Sequence, residues 1–160
     1  MEIVPHHDAL QADVNSLIIG IQAGEFAIPI TLDEQPDLFD IEGFYRNGKG
    51  DFWVATDSGK VIGTVALRDI GNAQGALRKM FVHRDYRGSQ HGVAQALLNR
   101  LLEESRKRGF REIFLGTTEK FRAAHRFYEK NGFELVTPEQ LPAAFPRMIQ
   151  DTKYYRLPLI

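Results

Sequence analysis

The stretch YRGSQHGVAQALL, residues 86–98, places an arginine and two glycines directly ahead of a run with helical spacing. A glycine loop opening into a helix presents backbone N–H groups and the positive helix end to an anion. Two readings stand for it: a tight strand-to-helix turn made by Gly88 and Gly92, or a loop built to hold an anion. An ATPase phosphate loop would need G-K-S or G-K-T, and a dinucleotide fold G-x-G-x-x-G; the chain carries neither.

Working outward, the residues after the loop repeat apolar positions at Leu97, Leu98, Leu101 and Leu102, predicting a helix from Val93 to Arg108 that stops at Gly109. Ahead of it the period is two. D-F-W-V-A-T-D from Asp51, the turn D-S-G-K, and V-I-G-T-V-A-L-R form a hairpin, and Ala76 to Val82 adds a third strand after Gly71-Asn72. Phe110 to Gly116 reads as a buried strand, Thr117 or Thr118 as the cap of a helix from Glu119 to Asn131, and Phe133 to Val136 as a short strand. The tail is loop-like through Pro138, Pro142 and Pro146 until a last strand from Lys153 to Leu159. At the start, Glu2 to Pro5 is a short strand and Asp8 with Gln11 resembles a capping box. The helix that follows carries Leu10, Val14, Leu17, Ile18 and Ile21 and stops near Gly24; Leu38, Ile41 and Tyr45 mark a second. The order is a mixed α/β domain spanning residues 1–160, with an antiparallel meander followed by a right-handed crossover to a parallel neighbour. Ligands of open sheets bind at such C-terminal strand ends.

Composition narrows the function. With 43% apolar and 26% charged residues, and no long apolar run, the chain reads as globular rather than membrane-spanning. Its first residues, MEIVPHHD, lack the basic and apolar regions of an export signal, so the expected location is cytoplasmic. Twenty basic residues against 21 acidic ones leave no electrostatic footprint for nucleic acid. The absence of cysteine removes thiol nucleophiles and zinc-thiolate sites.

A second constellation, AAHRFYEKNGFE from Ala123 to Glu134, gives the loop its context. Ala124, Tyr128, Lys130, Gly132 and Phe133 match A-x-x-x-Y-x-K-x-G-F, and together with the loop and the strand ALRKMFV the chain resembles the GCN5-related N-acetyltransferases, the GNAT superfamily. The resemblance implies a GNAT-like mixed α/β sheet of about seven strands, with an antiparallel N-terminal meander and a parallel central pair, flanked by about four helices. It implies acetyl-CoA as cofactor and no metal. The pyrophosphate would lie on Arg87, Gly88, Ser89, Gln90, His91, Gly92, Val93 and Ala94, and the pantetheine arm against the main chain of Phe81 and Val82. Thr117, Thr118, Phe121, Ala124, Phe127, Tyr128 and Lys130 complete the coenzyme side. The motif position that carries arginine or glutamine falls on Ser89, with Arg87 two residues further off, and Phe121 stands where many relatives carry asparagine.

The implied chemistry is direct attack of a primary amine, on a small molecule or on a peptide or protein, within a ternary complex. Tyr128 is the candidate general acid for the departing thiolate. Glu25 or Glu42 is the candidate base, because the strand position of the family's glutamate falls near Gly75 or Ala76. Phe26, Ile28, Phe44 and Tyr45 are candidate acceptor-pocket residues. His83 and His125 have side chains suited to proton transfer, with a structural role the simpler reading for His125. Many relatives are homodimers. The alternative from another class is an inactive acyl-CoA-binding module with the same fold.

Overall fold

A computed structural model of the chain describes residues 1–159; Ile160, included in the expected domain, lies outside the described residues. Seven strands form one sheet: β1 (Glu2–Pro5), β2 (Asp51–Asp57), β3 (Lys60–Asp69), β4 (Gln74–Val82), β5 (Glu112–Thr117), β6 (Glu134–Val136) and β7 (Lys153–Pro158). Four α-helices accompany them: α1 (Gln11–Ile19), α2 (Ile41–Phe44), α3 (Val93–Lys107) and α4 (Arg122–Lys130). The strand order is β1-β2-β3-β4-β5-β7-β6. The expected meander β2-β3-β4 is antiparallel, and β4 and β5 are the parallel pair bridged by α3.

The alternation in β2 separates two cores. Phe52 and Val54 face α1 and α2, where Val14, Leu17, Ile18, Leu38 and Ile41 cover them. Trp53 and Ala55 face the opposite side, against Leu97, Leu98 and Leu101 of α3. Gly63 lets α3 settle on β3, because a Cβ there would lie 2.9 Å from Leu97 Cδ1 and 3.1 Å from Val93 Cγ1.

The parallel pairing ends early, and this shapes the site. Only Gln74, Gly75 and Ala76 pair with Glu112, Ile113 and Phe114; beyond them β4 and β5 diverge. The cause lies in β4, where the register with β3 shifts between Thr64 and Ala66. Lys79 occupies the bulge with φ of 54°, and the Thr64 hydroxyl donates to its carbonyl at 2.7 Å. A bulge bends the strand that carries it, so β4 swings away from β5 and leaves a gap.

Several expected boundaries are corrected. Asp8 opens a 3-10 turn, Asp8–Leu10, and no side chain caps it or α1, so the Asp8–Gln11 capping box does not form. α1 passes into a π-turn, Gly20–Glu25, instead of ending near Gly24 as an α-helix. The second helix is split by Asp40, whose carboxylate accepts from the Gly43 N–H at 2.9 Å and starts α2 afresh after the 3-10 turn Pro36–Phe39. α4 begins at Arg122 with Phe121 at its N-cap; Thr117 ends β5, and Thr118 Oγ1 accepts from the Lys120 N–H at 3.3 Å, so neither threonine caps the helix. No helix among the described residues is long and apolar enough to cross a membrane.

Candidate active site

The gap between β4 and β5 widens into a cavity of about 1050 Å³. At one end the glycine loop meets α3. Gly88 has φ of 101° and Gly92 of 66°, left-handed conformations that glycine adopts without a Cβ penalty. The N–H groups of Ser89, Gln90, Val93, Ala94 and Gln95 take no backbone acceptor among the described residues, as expected for a loop leading into a helix start. Arg122, Arg126 and Lys130, spaced by one helical turn on α4, line the same cavity. Free N–H groups, a positive helix end and a cationic stripe fit the pyrophosphate and phosphate of coenzyme A.

The pleat decides what β4 offers the gap. The His83 N–H donates to Ile62 O at 2.8 Å, so His83 and Phe81, paired with Ile62 and Thr64, turn their amides toward β3, whereas Val82 between them turns its own toward the gap. Of the two residues expected to offer main chain, Val82 turns its amide toward the gap and Phe81 lines the cavity while its amide pairs toward β3. The Val82 carbonyl accepts from Arg87 Nε at 2.9 Å.

Arg87, expected on the coenzyme phosphates, lines the cavity. Its guanidinium binds Glu25 through both terminal nitrogens, NH2 to Oε1 at 2.8 Å. The same clamp, above all its hydrogen bonds, holds the Glu25 carboxyl below its ordinary range, which makes Glu25 a weak base. Glu42 is exposed, pairs with Arg46 at 2.6 Å and does not line the cavity.

The remaining coenzyme-side residues divide. Gly88, Ser89, Gly92, Ala94, Thr117, Thr118, Phe121, Ala124, Phe127, Tyr128 and Lys130 line the cavity. Gln90, His91 and Val93 do not: Gln90 folds over Gly88, His91 lies against Tyr86, and the Val93 side chain is buried in the core beneath α3. Tyr128 is buried among Phe127, Phe133 and Tyr155, and its hydroxyl makes no hydrogen bond among the described residues. Burial pushes that hydroxyl above the usual tyrosine range, so it stays protonated. His125 is buried with Nε2 2.8 Å from Thr118 O, a structural position. His83 Nδ1 accepts from the Asp85 N–H at 3.1 Å.

On the acceptor side, Phe26 and Ile28 line the cavity; Phe44 and Tyr45 do not. Phe121 stands edge-on to Phe26, centroids 4.9 Å apart, and to Phe81 at 6.1 Å, so an aromatic wall replaces the amide contact of an asparagine. The Tyr45 hydroxyl donates to buried Asp37 at 2.5 Å.

Sequence reasoning missed Arg78, Lys79 and Asp151, all on the cavity wall. The signal for the first two was present: adjacent charges inside ALRKMFV break the alternation of a half-buried strand. Burial pushes the Lys79 ammonium down to about 8 and raises the Asp151 carboxyl. Asp151 comes from the irregular tail, and its Oδ2 lies 2.5 Å from where a Cβ on Gly116 of β5 would stand.

Comparisons with known proteins agree with this geometry. A model of the acetyltransferase (GNAT) family matches residues 21–133. The crystal structure of a GNAT-family acetyltransferase from Staphylococcus aureus Mu50 is similar at a TM-score of 0.95 and 33% identity, covering 99% of each chain. An acetyltransferase from Streptococcus agalactiae 2603 gives a TM-score of 0.94 at 33% identity, with 99% of this chain and 98% of that one covered. N-acetylaspartate synthetase from Xenopus tropicalis is 37% identical over 131 residues, 75% of this chain but only 47% of its own length. The chain thus spans about half of that curated relative. With the splayed pair, the glycine loop and the A-x-x-x-Y-x-K-x-G-F helix in one sheet, the chain belongs to the acetyltransferase (GNAT) family, whose cosubstrate is acetyl-CoA.

Proposed function

We propose that the chain is an N-acetyltransferase that moves an acetyl group from acetyl-CoA to a primary amine by direct attack. The observation that carries this reading is the cavity itself: it joins the glycine loop and α3 start at one end to an apolar acceptor side at the other, with the Tyr128 hydroxyl unpartnered between them. When bound, acetyl-CoA supplies an activated acyl thioester. The loop N–H groups with Arg126 and Lys130 hold its phosphates, and the β4 edge aligns its arm. The N–H group of Val82, turned toward the gap, stabilises negative charge developing on the thioester oxygen. Tyr128 donates its proton to the departing sulfur. A thiol of pKa about 8.5 is already a tolerable leaving group, so a weak acid suffices.

The amine must lose a proton to attack. Glu25 is committed to Arg87 and Glu42 lies elsewhere, so we assign that proton to Asp151, the cavity carboxylate whose affinity for protons burial raises.

The test is steady-state thiol release from acetyl-CoA across a panel of amines, with the acetylated product identified by mass. Amine-dependent release with one acetyl group added is the expected result. Binding of acetyl-CoA without release for any amine would overturn the enzymatic reading in favour of an inactive acyl-CoA-binding module.

A further inference from the structure

Two buried cations share one carboxylate beside the acceptor cavity. Arg78 NH2 and Lys79 Nζ approach the same oxygen of Asp37, Oδ2, at 3.9 and 3.6 Å. That oxygen already accepts from the Tyr45 hydroxyl. The side chains of Arg78 and Lys79 are only 11% and 6% exposed, so both charges have left bulk water. Buried charges are costly unless paired; the two cations share Asp37 and feel Asp151 as a second carboxylate at longer range. Asp151, the other carboxylate on this wall, makes no ion pair within 4.0 Å with either cation among the described residues.

The unspent hydrogen bonds lie on Arg78. Nε donates to the Tyr45 oxygen at 3.2 Å, but NH1 and NH2 donate to no group among the described residues, although the side chain lines the cavity. Lys79 Nζ donates to Gln35 Oε1 at 2.6 Å, and Gln35 is held by a reciprocal amide pair with Gln22. Tyr45, Asp37, Gln35 and Gln22 therefore fix two cations in place, leaving a planar guanidinium fork facing the cavity. Such a fork matches a carboxylate bidentately.

Resting on the acetyltransferase reading, we infer that the acceptor is an amine carrying its own carboxylate, an amino acid, with the carboxylate held by Arg78 and Lys79 and the amine directed toward Asp151. The wall formed by Phe26, Ile28, Ile30, Phe81 and Phe121 receives the rest of the molecule. A protein lysine or a peptide N-terminus has no carboxylate beside its nitrogen and leaves the Arg78 fork unfilled.

The test compares L-aspartate, L-phenylalanine and L-leucine with the amines that lack every carboxylate, ethylamine, phenethylamine and isopentylamine, in the thiol-release assay. The expected result is a kcat/KM for the best amino acid at least about 30-fold above that of its carboxylate-free counterpart, the span of a desolvated charge pair losing one partner. Arg78→Gln should raise the amino-acid KM by about the same factor, cutting the preference for the amino acid over its carboxylate-free counterpart, while the acetyl-CoA-induced melting shift persists. Calorimetric titration of the best amino acid into the coenzyme A complex reads the same loss without turnover. If carboxylate-free amines serve equally well, or Arg78→Gln lowers both classes alike, the carboxylate assignment falls and the acetyltransferase reading stands. If no amine releases thiol, the acetyltransferase reading falls and takes this one with it.

Discussion

Replacing Tyr128 with phenylalanine isolates one proposed step. The substitution removes a single hydroxyl that has no hydrogen-bond partner among the described residues, so no network collapses with it. The ring keeps its contacts with Phe127, Phe133 and Tyr155, at centroid distances of 5.8, 5.5 and 6.1 Å. The hydroxyl opens on the cavity rather than being sealed in the core, so its loss is close to neutral for folding, and the melting temperature should barely move. Positioned general acids contribute about 100- to 10,000-fold. The low end applies, because the departing thiol, with a pKa of about 8.5, leaves tolerably on its own. We expect kcat to fall about 100-fold, equivalent to about 2.7 kcal/mol, with KM for acetyl-CoA little changed. The assay is initial-rate thiol release at saturating amine, repeated across pH. Burial holds the Tyr128 hydroxyl above the usual tyrosine value, so the wild-type rate should show no alkaline loss from this group near pH ~10, where a free tyrosine ionises. A Tyr128→Phe enzyme with kcat within about twofold of wild type would refute the assignment, since that is far below any general-acid contribution.

Three further outcomes follow from the same geometry. Leu97→Ala, at a fully buried position between α3 and the sheet, should cost about 2–5 kcal/mol and lower the melting temperature by about 5–15 °C in a calorimetric scan. Gly88→Val places a branched side chain at φ of 101°; the strain of about 1–2 kcal/mol should raise KM for acetyl-CoA about tenfold, read by initial rates, without unfolding the protein. Burial alone would raise the Asp51 carboxyl, but Arg46, the Phe52 N–H and Arg108 outweigh it and hold the pKa below the ordinary value. A depressed folded pKa contributes stability above the unfolded value and loses it as pH falls through the folded one. Asp51→Asn should therefore lower the melting temperature at neutral pH, with the difference closing below about pH 4.

Much of the architecture is legible because local patterns carry it. The period-two runs after Asp51, the leucine face of α3 and the glycines at 88 and 92 each announce their element without distant partners. What escaped depends on partners far along the chain. Arg87 is paired with Glu25, 62 residues earlier, which no local pattern announces. Arg78 and Lys79 become site residues only because Thr64 stabilises a bulge and Asp37 waits beneath them. Asp151 reaches the cavity from a proline-rich tail with no periodicity to place it. Helix starts misled for a local reason: Asp8 and Thr118 have capping side chains, yet the chain enters α1 and α4 through Leu10 and Phe121, uncapped.

The central claim is that the gap between β4 and β5, closed by the glycine loop, holds acetyl-CoA. The most direct measurement is the melting temperature with and without acetyl-CoA, with ATP and NAD as controls. At about 100 times its dissociation constant a native-state ligand adds roughly 2.7 kcal/mol, which for a domain of this size raises melting by about 5–11 °C. A rise of that size with acetyl-CoA and none with ATP or NAD is the predicted result. No rise at millimolar acetyl-CoA, or an equal rise with ATP, would contradict it.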